Sequence, residues 1–137
     1  ARLPELRYLE LWQIRGLEDI SIISKCVGLQ FLFLQSLARI KRIPNLRGLT
    51  RLRRIHLEHL HTIEDFSALE HAPALEEALL IDAKPAQSEL IEPLLRNTSL
   101  KRLLVGFGSD KRNAEIKRQM QSRGITVYKH TPFVFEP

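Results

Sequence analysis

The densest group of residues able to do chemistry is His56, Glu58, His59 and His61, three imidazoles and a carboxylate within six positions. Such groups ligate zinc-class ions, and they also serve as general acids and bases. The spacing matches no standard zinc frame and no second cluster completes a ligand set, so the expectation is a solvated rim holding no metal and no cofactor. Other catalytic signatures are as thin. Gly106-Phe107-Gly108 lacks the lysine and the helix of a phosphate-cradling loop. The single cysteine, Cys26, reads as a small buried hydrophobe, and no Ser/His/Asp or Cys/His pairing has positional support. No catalytic residue is assigned, and the chain is not expected to be an enzyme.

The elements that must position these side chains are unusually legible. A frame Leu-x-x-Leu-x-Leu opens at Leu6, Leu29, Leu52 and Leu75, a period of 23 residues, and returns after 25 at Leu100. Its copies are Leu6/Leu9/Leu11, Leu29/Leu32/Leu34, Leu52/Ile55/Leu57, Leu75/Ala78/Leu80 and Leu100/Leu103/Val105. Self-similarity at such a period predicts stacked supersecondary units, one strand per repeat. Between strands the apolar residues step by three: Ile14, Leu17, Ile20, Ile23, Cys26, then Leu37, Ile40, Ile43, Leu46, Leu49, then Leu60, Ile63, Phe66, Leu69, Ala72. On an α-helix a step of three falls about 60° short of a turn, so the series would scatter around the cylinder. Three-residue turns keep it on one inward line, and the return legs of the first three repeats are expected to be 3₁₀ or irregular.

On these motifs the chain resembles leucine-rich repeat proteins, over residues 3 to about 128. The likeness implies an α/β solenoid with a curved parallel β-sheet on its concave face. It also implies a role in protein–protein interaction. The family frame usually places Asn three residues after the last strand leucine. Here those corners hold Ile14, Leu37, Leu60 and Ala83, so the backbone there must be satisfied in another way.

Residues 1–137 read as one domain, with an apolar content of 44% that is ample for a continuous core. Toward the C-terminus the return legs are expected to become α-helical. A short helix is read over Ser88 to Arg96, limited by Pro93, and a second over Lys111 to Arg123, with Asp110 as candidate N-cap and Gly124 as stop. The strand Ile125 to Tyr128 follows, so that a helix and strand over about 110–128 close the array, and Thr131 to Pro137 is a covering or loose segment. At the other end Leu3 reads as the tail of an earlier repeat, which makes the chain a fragment of a longer array. Its bare first repeat would then favour self-association. No apolar run approaches a membrane span and no charged-then-apolar leader opens the chain. A lone cysteine forms no intrachain disulfide, so a cytoplasmic location is expected, with Asn97-Thr98-Ser99 a loop motif rather than a glycosylation site.

Alternation within each strand turns the third, fifth and seventh positions of the frame onto the concave face. Three columns result: Tyr8, Phe31, Arg54, Glu77, Arg102; Glu10, Phe33, His56, Leu79, Leu104; and Trp12, Gln35, Glu58, Ile81, Gly106. Tyr8, Trp12, Phe31 and Phe33 are four of nine aromatic residues, gathered on two adjacent strands where folding alone does not call for them. Exposed apolar clusters mark contact surfaces, and Tyr, Trp and Arg dominate hot spots. The expected partner-binding set is therefore Tyr8, Trp12, Phe31, Phe33, Arg54, His56, Glu77, Leu79, Ile81 and Arg102, with Arg54, Glu77 and Arg102 also forming a charge ladder. The other reading is that a neighbouring segment covers this patch. A formal charge of +5 rests on Arg39 to Arg54 and on Lys111 to Arg123. The frame scatters the first group over several faces, so nucleic-acid or anionic-surface binding is the alternative to a protein partner, and a structural segment of a larger protein is the third.

Overall fold

The computed structural model describes residues 3–137. Six strands form one sheet in chain order, and every pairing is parallel: β1 Tyr8–Trp12, β2 Phe31–Gln35, β3 Arg54–Glu58, β4 Glu77–Ile81, β5 Arg102–Val105 and β6 Thr126–Val127. Equal places of the 23-residue frame face each other, as in Leu9↔Leu32, Leu32↔Ile55 and Ile55↔Ala78. A slip of one residue would turn every rung to the wrong face, so the apolar frame sets the register.

The rungs point into one core. Leu32, Leu34, Ile55, Leu57, Ala78, Leu80, Leu103 and Val105 are buried behind the sheet, and so are the frame openers Leu29, Leu52, Leu75 and Leu100. The three-residue ladder is buried without a gap from Leu37 to Leu49 and from Leu60 to Ala72. Its backbone is not α-helical. Ser21–Lys25 and Ser67–His71 are 3₁₀ turns, and the second leg is irregular apart from an isolated parallel bridge Arg42↔Asp65. Asp19 and Asp65, at the same place in their repeats, each accept a hydrogen bond on Oδ1 from a backbone N–H two residues on, Ser21 and Ser67, both at 2.8 Å. These bonds hold both carboxyls below the ordinary carboxylate range.

The backbone at the corners after the strands is satisfied by two devices. Gln13, Ser36, His59 and Asp82, the residues after β1 to β4 and 23 apart, all have a left-handed backbone, φ 50 to 55°. This turn lets the N–H of Gln13, Ser36 and His59 donate to the end of the next strand, at Gln35, Glu58 and Ile81, at 2.9 to 3.1 Å. Further along, polar side chains reach back to carbonyls of the preceding repeat. Thr62 Oγ1 donates to Ile40 O at 2.7 Å, buried Gln87 Nε2 to Leu60 O and Ile63 O, and buried Asn97 Nδ2 to Leu69 O and Ala72 O. Asn97 of the sequon is thus an internal bridge.

The C-terminal elements correct the sequence reading in detail. The helix expected over Ser88 to Arg96 is a 3₁₀ turn, Pro85–Glu89, followed by a single α-helical turn, α1, Glu92–Leu95, with Pro93 in its first turn. The long helix, α2, is Asp110–Ser122, and its N-cap is Ser109 rather than Asp110. The Ser109 Oγ accepts the Arg112 N–H at 3.3 Å, while Asp110 stands in the first turn. Gly124 ends it with φ 72°. Only Thr126–Val127 of the expected last strand pairs, although the Tyr128 N–H still donates to Leu103 O at 3.1 Å. No helix among the described residues is long and apolar enough to cross a membrane.

Candidate functional site

The columns expected on the open face are in register from β1 to β4, and the first two continue to β5; Gly106 of the third lies beyond the end of β5. In the first, Glu77 is bracketed by two guanidiniums: Arg54 Nε donates to Oε1 at 2.9 Å and Arg102 Nε to Oε2 at 2.8 Å. Burial pushes the Glu77 carboxyl up, but the two donated bonds and two positive charges outweigh it, and its pKa lies below the ordinary range. In the second column Phe33 stacks on His56, with ring centroids 4.1 Å apart. His56 Nε2 lies 3.0 Å from Glu58 Oε1, and Gln35 Nε2 donates to Glu58 Oε2 at 3.1 Å. Trp12 is half exposed, Tyr8 is exposed and donates its hydroxyl to Glu10, and Phe31, Phe33, His56, Ile81 and Arg102 are half-buried. Three members of the expected contact set have little exposed surface. Arg54, Glu77 and Leu79 are buried, at 5%, 8% and 7% exposure. Glu77 is spent on the ion row, Arg54 gives its Nε to that row but keeps Nη2 for Thr131 O, and Leu79 lies in register between His56 and Leu104.

The segment from Thr131 to Pro137 is a cover, not a loose end. It runs along the N-terminal ends of β1 to β3 and is held through its main chain. Arg54 Nη2 donates to Thr131 O at 3.0 Å, Arg53 Nη2 to Val134 O at 2.6 Å and Arg51 Nη2 to Pro137 O at 2.7 Å. Gln30 makes a reciprocal pair with Glu136, its Nε2 donating to Glu136 O at 2.9 Å and its Oε1 accepting the Glu136 N–H at 2.8 Å. The side chains of the segment complete an aromatic cluster. Phe133 meets Phe31 at 5.2 Å, Phe135 meets Tyr8 at 6.3 Å, and the Phe133 ring lies 4.5 Å from the Arg53 guanidinium and 5.1 Å from that of Arg54. Burial beside these rings and the bond to Glu10 push the Tyr8 phenol up to about 12.

At the opposite end of the strands a second polar group assembles. His59 follows β3 and Asp82 follows β4, and their left-handed turns aim the two side chains at each other, with His59 Nδ1 2.6 Å from Asp82 Oδ2. His61 Nε2 lies 3.8 Å from Asp82 Oδ1 and 2.7 Å from the Asp82 carbonyl, and the two imidazole centroids are 4.1 Å apart. The hydrogen bond from His59 first, and then the attraction of both rings, hold the Asp82 carboxyl below the ordinary range. The sequence cluster therefore divides. His56 and Glu58 belong to the open face, while His59 and His61 turn to Asp82, which sequence reasoning missed because it comes from the next repeat. The signal was available: 59 and 82 are one period apart.

Several basic residues are matched by acids: Arg39 with Glu18 at 2.8 Å, Lys41 with Glu64 at 3.9 Å, Arg112 with Glu89 at 3.1 Å and Arg123 with Glu92 at 2.5 Å. Phe107 of the glycine-flanked triplet is fully buried, and its N–H donates to Asn113 Oδ1 at 2.9 Å, an arrangement that serves packing. Comparison with protein-family models and with curated proteins finds no match for this chain.

Proposed function

We propose that the chain is a leucine-rich repeat solenoid acting as a protein–protein interaction module, and that its open face takes an extended, phenylalanine-bearing peptide across the strand starts. The 23-residue frame, paired in register, and the buried three-residue ladder support the architecture. One observation carries the binding reading: the seat of Thr131 to Pro137. Three arginines and a glutamine receive the backbone of that segment, and aromatic side chains receive Phe133 and Phe135. Main-chain recognition with side-chain selection is how extended peptides are bound. Trp12 and Phe33 prolong the apolar surface beyond the segment. Fold alone would not carry this conclusion.

A tethered segment competes at a local concentration of roughly millimolar, so the intact chain should mask its own site. The test is a labelled peptide of residues 131–137 titrated against a Phe133→Ala/Phe135→Ala chain. Saturable binding is expected there, at least about tenfold tighter than to the wild-type chain, and it should be lost when Arg53→Ala is added. Absence of binding to the vacated chain would refute the reading. A pull-down with the vacated chain, against the same chain carrying Trp12→Ala/Phe33→Ala, would then identify the partner.

A further inference from the structure

We propose that His59, His61 and Asp82 form a site for a divalent ion of the zinc class at the C-terminal ends of β3 and β4. This inference does not rest on the peptide-binding reading, since it concerns other residues at the other end of the strands. Its basis is convergence. One ligand atom from each residue can be chosen so that all lie within 4.8 Å of one another. A tetrahedral ion with bonds of about 2.1 Å requires neighbouring ligand atoms about 3.4 Å apart. The contacts of 2.6 Å from His59 Nδ1 to Asp82 Oδ2 and 3.8 Å from His61 Nε2 to Asp82 Oδ1, made to the two oxygens of one carboxylate, lie on either side of that value, and His59 and Asp82 are exposed while His61 is half-buried.

Two imidazoles and one carboxylate also specify the kind of ion. Calcium and magnesium take oxygen ligands, whereas imidazole suits zinc, copper and nickel. Three protein ligands leave a fourth position for water or another ligand, and His59 and His61 line an open hollow of about 570 Å³ together with Gln13, Arg15 and Ser36. The left-handed turn belongs to the repeat, since Gln13 and Ser36 share it, but only His59 and Asp82 put ligands on adjacent turns. Binding exchanges the hydrogen bonds now made to Asp82 for bonds to the ion, so each imidazole must present a lone pair where it now shares a proton.

The experiment is calorimetric titration of the metal-stripped full chain with Zn²⁺ alone, with Ca²⁺ in a parallel arm. The variants are His59→Asn, His61→Gln and Asp82→Asn, with His56→Gln as control. Asn is chosen at the left-handed positions because it tolerates that conformation, and circular dichroism would verify that each variant folds. The expected result is one Zn²⁺ per chain, no Ca²⁺ binding, affinity reduced at least about tenfold by each of the three ligand changes, and no effect of His56→Gln. The proposal is overturned if no stoichiometric Zn²⁺ binds, if the ligand variants bind as wild type does, or if His56→Gln weakens binding equally, which would place the ion on the open face.

Discussion

Glu77 joins three strands of the open face, pairing from β4 with Arg54 on β3 and Arg102 on β5. It is a carboxylate at 8% exposure, and both its oxygens are committed to guanidiniums, one of which, Arg54, is itself buried. Removing its charge leaves Arg54 in a low-dielectric setting with its chief counter-ion gone, and breaking such a buried pair costs about 3–5 kcal/mol. Glu77→Gln should therefore lower the unfolding free energy by an amount of that order, measured by urea denaturation at neutral pH. The pH dependence follows from the direction of the shift. The folded carboxyl ionises below the unfolded one, so its contribution is complete above the ordinary carboxylate range and is lost as pH falls through that range toward the folded value. The wild-type chain should lose more stability between neutral and acidic pH than Glu77→Gln, and parallel curves would show that the ion row adds nothing. Its members were legible in the sequence as a cross-strand column. Their burial was not, because it depends on what lies over the column, and a covering segment has no periodicity to read.

At the scale of the elements, the strands and their register could be read because the frame places rungs at fixed intervals on one face. The three-residue return legs could be read because only a three-residue turn keeps such a series inward. The polar braces could not. Asn97 bonds to carbonyls 25 and 28 residues upstream, and Gln87 to carbonyls 24 and 27 upstream; neither stands in a motif that marks the partner. Asp82 escaped for the same reason, since its partner His59 lies one repeat away. These braces make the element-scale prediction. Asn97→Leu preserves approximate volume but strips the buried Leu69 O of its side-chain donor, leaves Ala72 O only the long contacts from the Leu75 N–H and Ser99 Oγ at 3.4 and 3.5 Å, and removes the acceptor of the Ser99 N–H. An unsatisfied buried polar group costs about 1–3 kcal/mol. Thermal unfolding should accordingly show a loss of about 2–4 kcal/mol, against less than half that for Ser88→Ala, whose half-buried hydroxyl donates to Pro85 O and accepts from Arg112 Nη1 but serves no fully buried carbonyl. Equal losses in the two variants would mean that the carbonyls find water instead.

For the whole molecule, the two ends of the sheet are unequal. β6 is two residues long and is backed by α2, a short edge of the kind that discourages pairing. β1 is five residues long, and its outer edge is unpaired among the described residues. Behind it, Leu6, Leu9, Leu11 and Leu17 are only partly buried, whereas Leu29, Leu32, Leu34 and Ile40, the same rungs one repeat on, are at or below 1% exposure. Leu3 and Ile14, in line with this layer, are 41% and 40% exposed. The 3₁₀ turn at Leu3–Glu5 does not close the layer. It is spent on Gly28, where an added Cβ would stand 2.4 Å from the Pro4 carbonyl. An apolar end layer combined with a free strand edge is a template for a second chain, and two copies meeting through β1 satisfy both at once. The 137-residue chain should therefore associate, with a light-scattering mass that falls toward the monomer on dilution. Leu3→Lys/Ile14→Lys, which charges the exposed margin of the layer without touching the buried core, should shift the equilibrium to monomer while leaving the unfolding transition of the diluted protein nearly unchanged. A wild-type chain that stays monomeric at high concentration, with the amides of β1 protected from hydrogen exchange, would show that this end closes on itself.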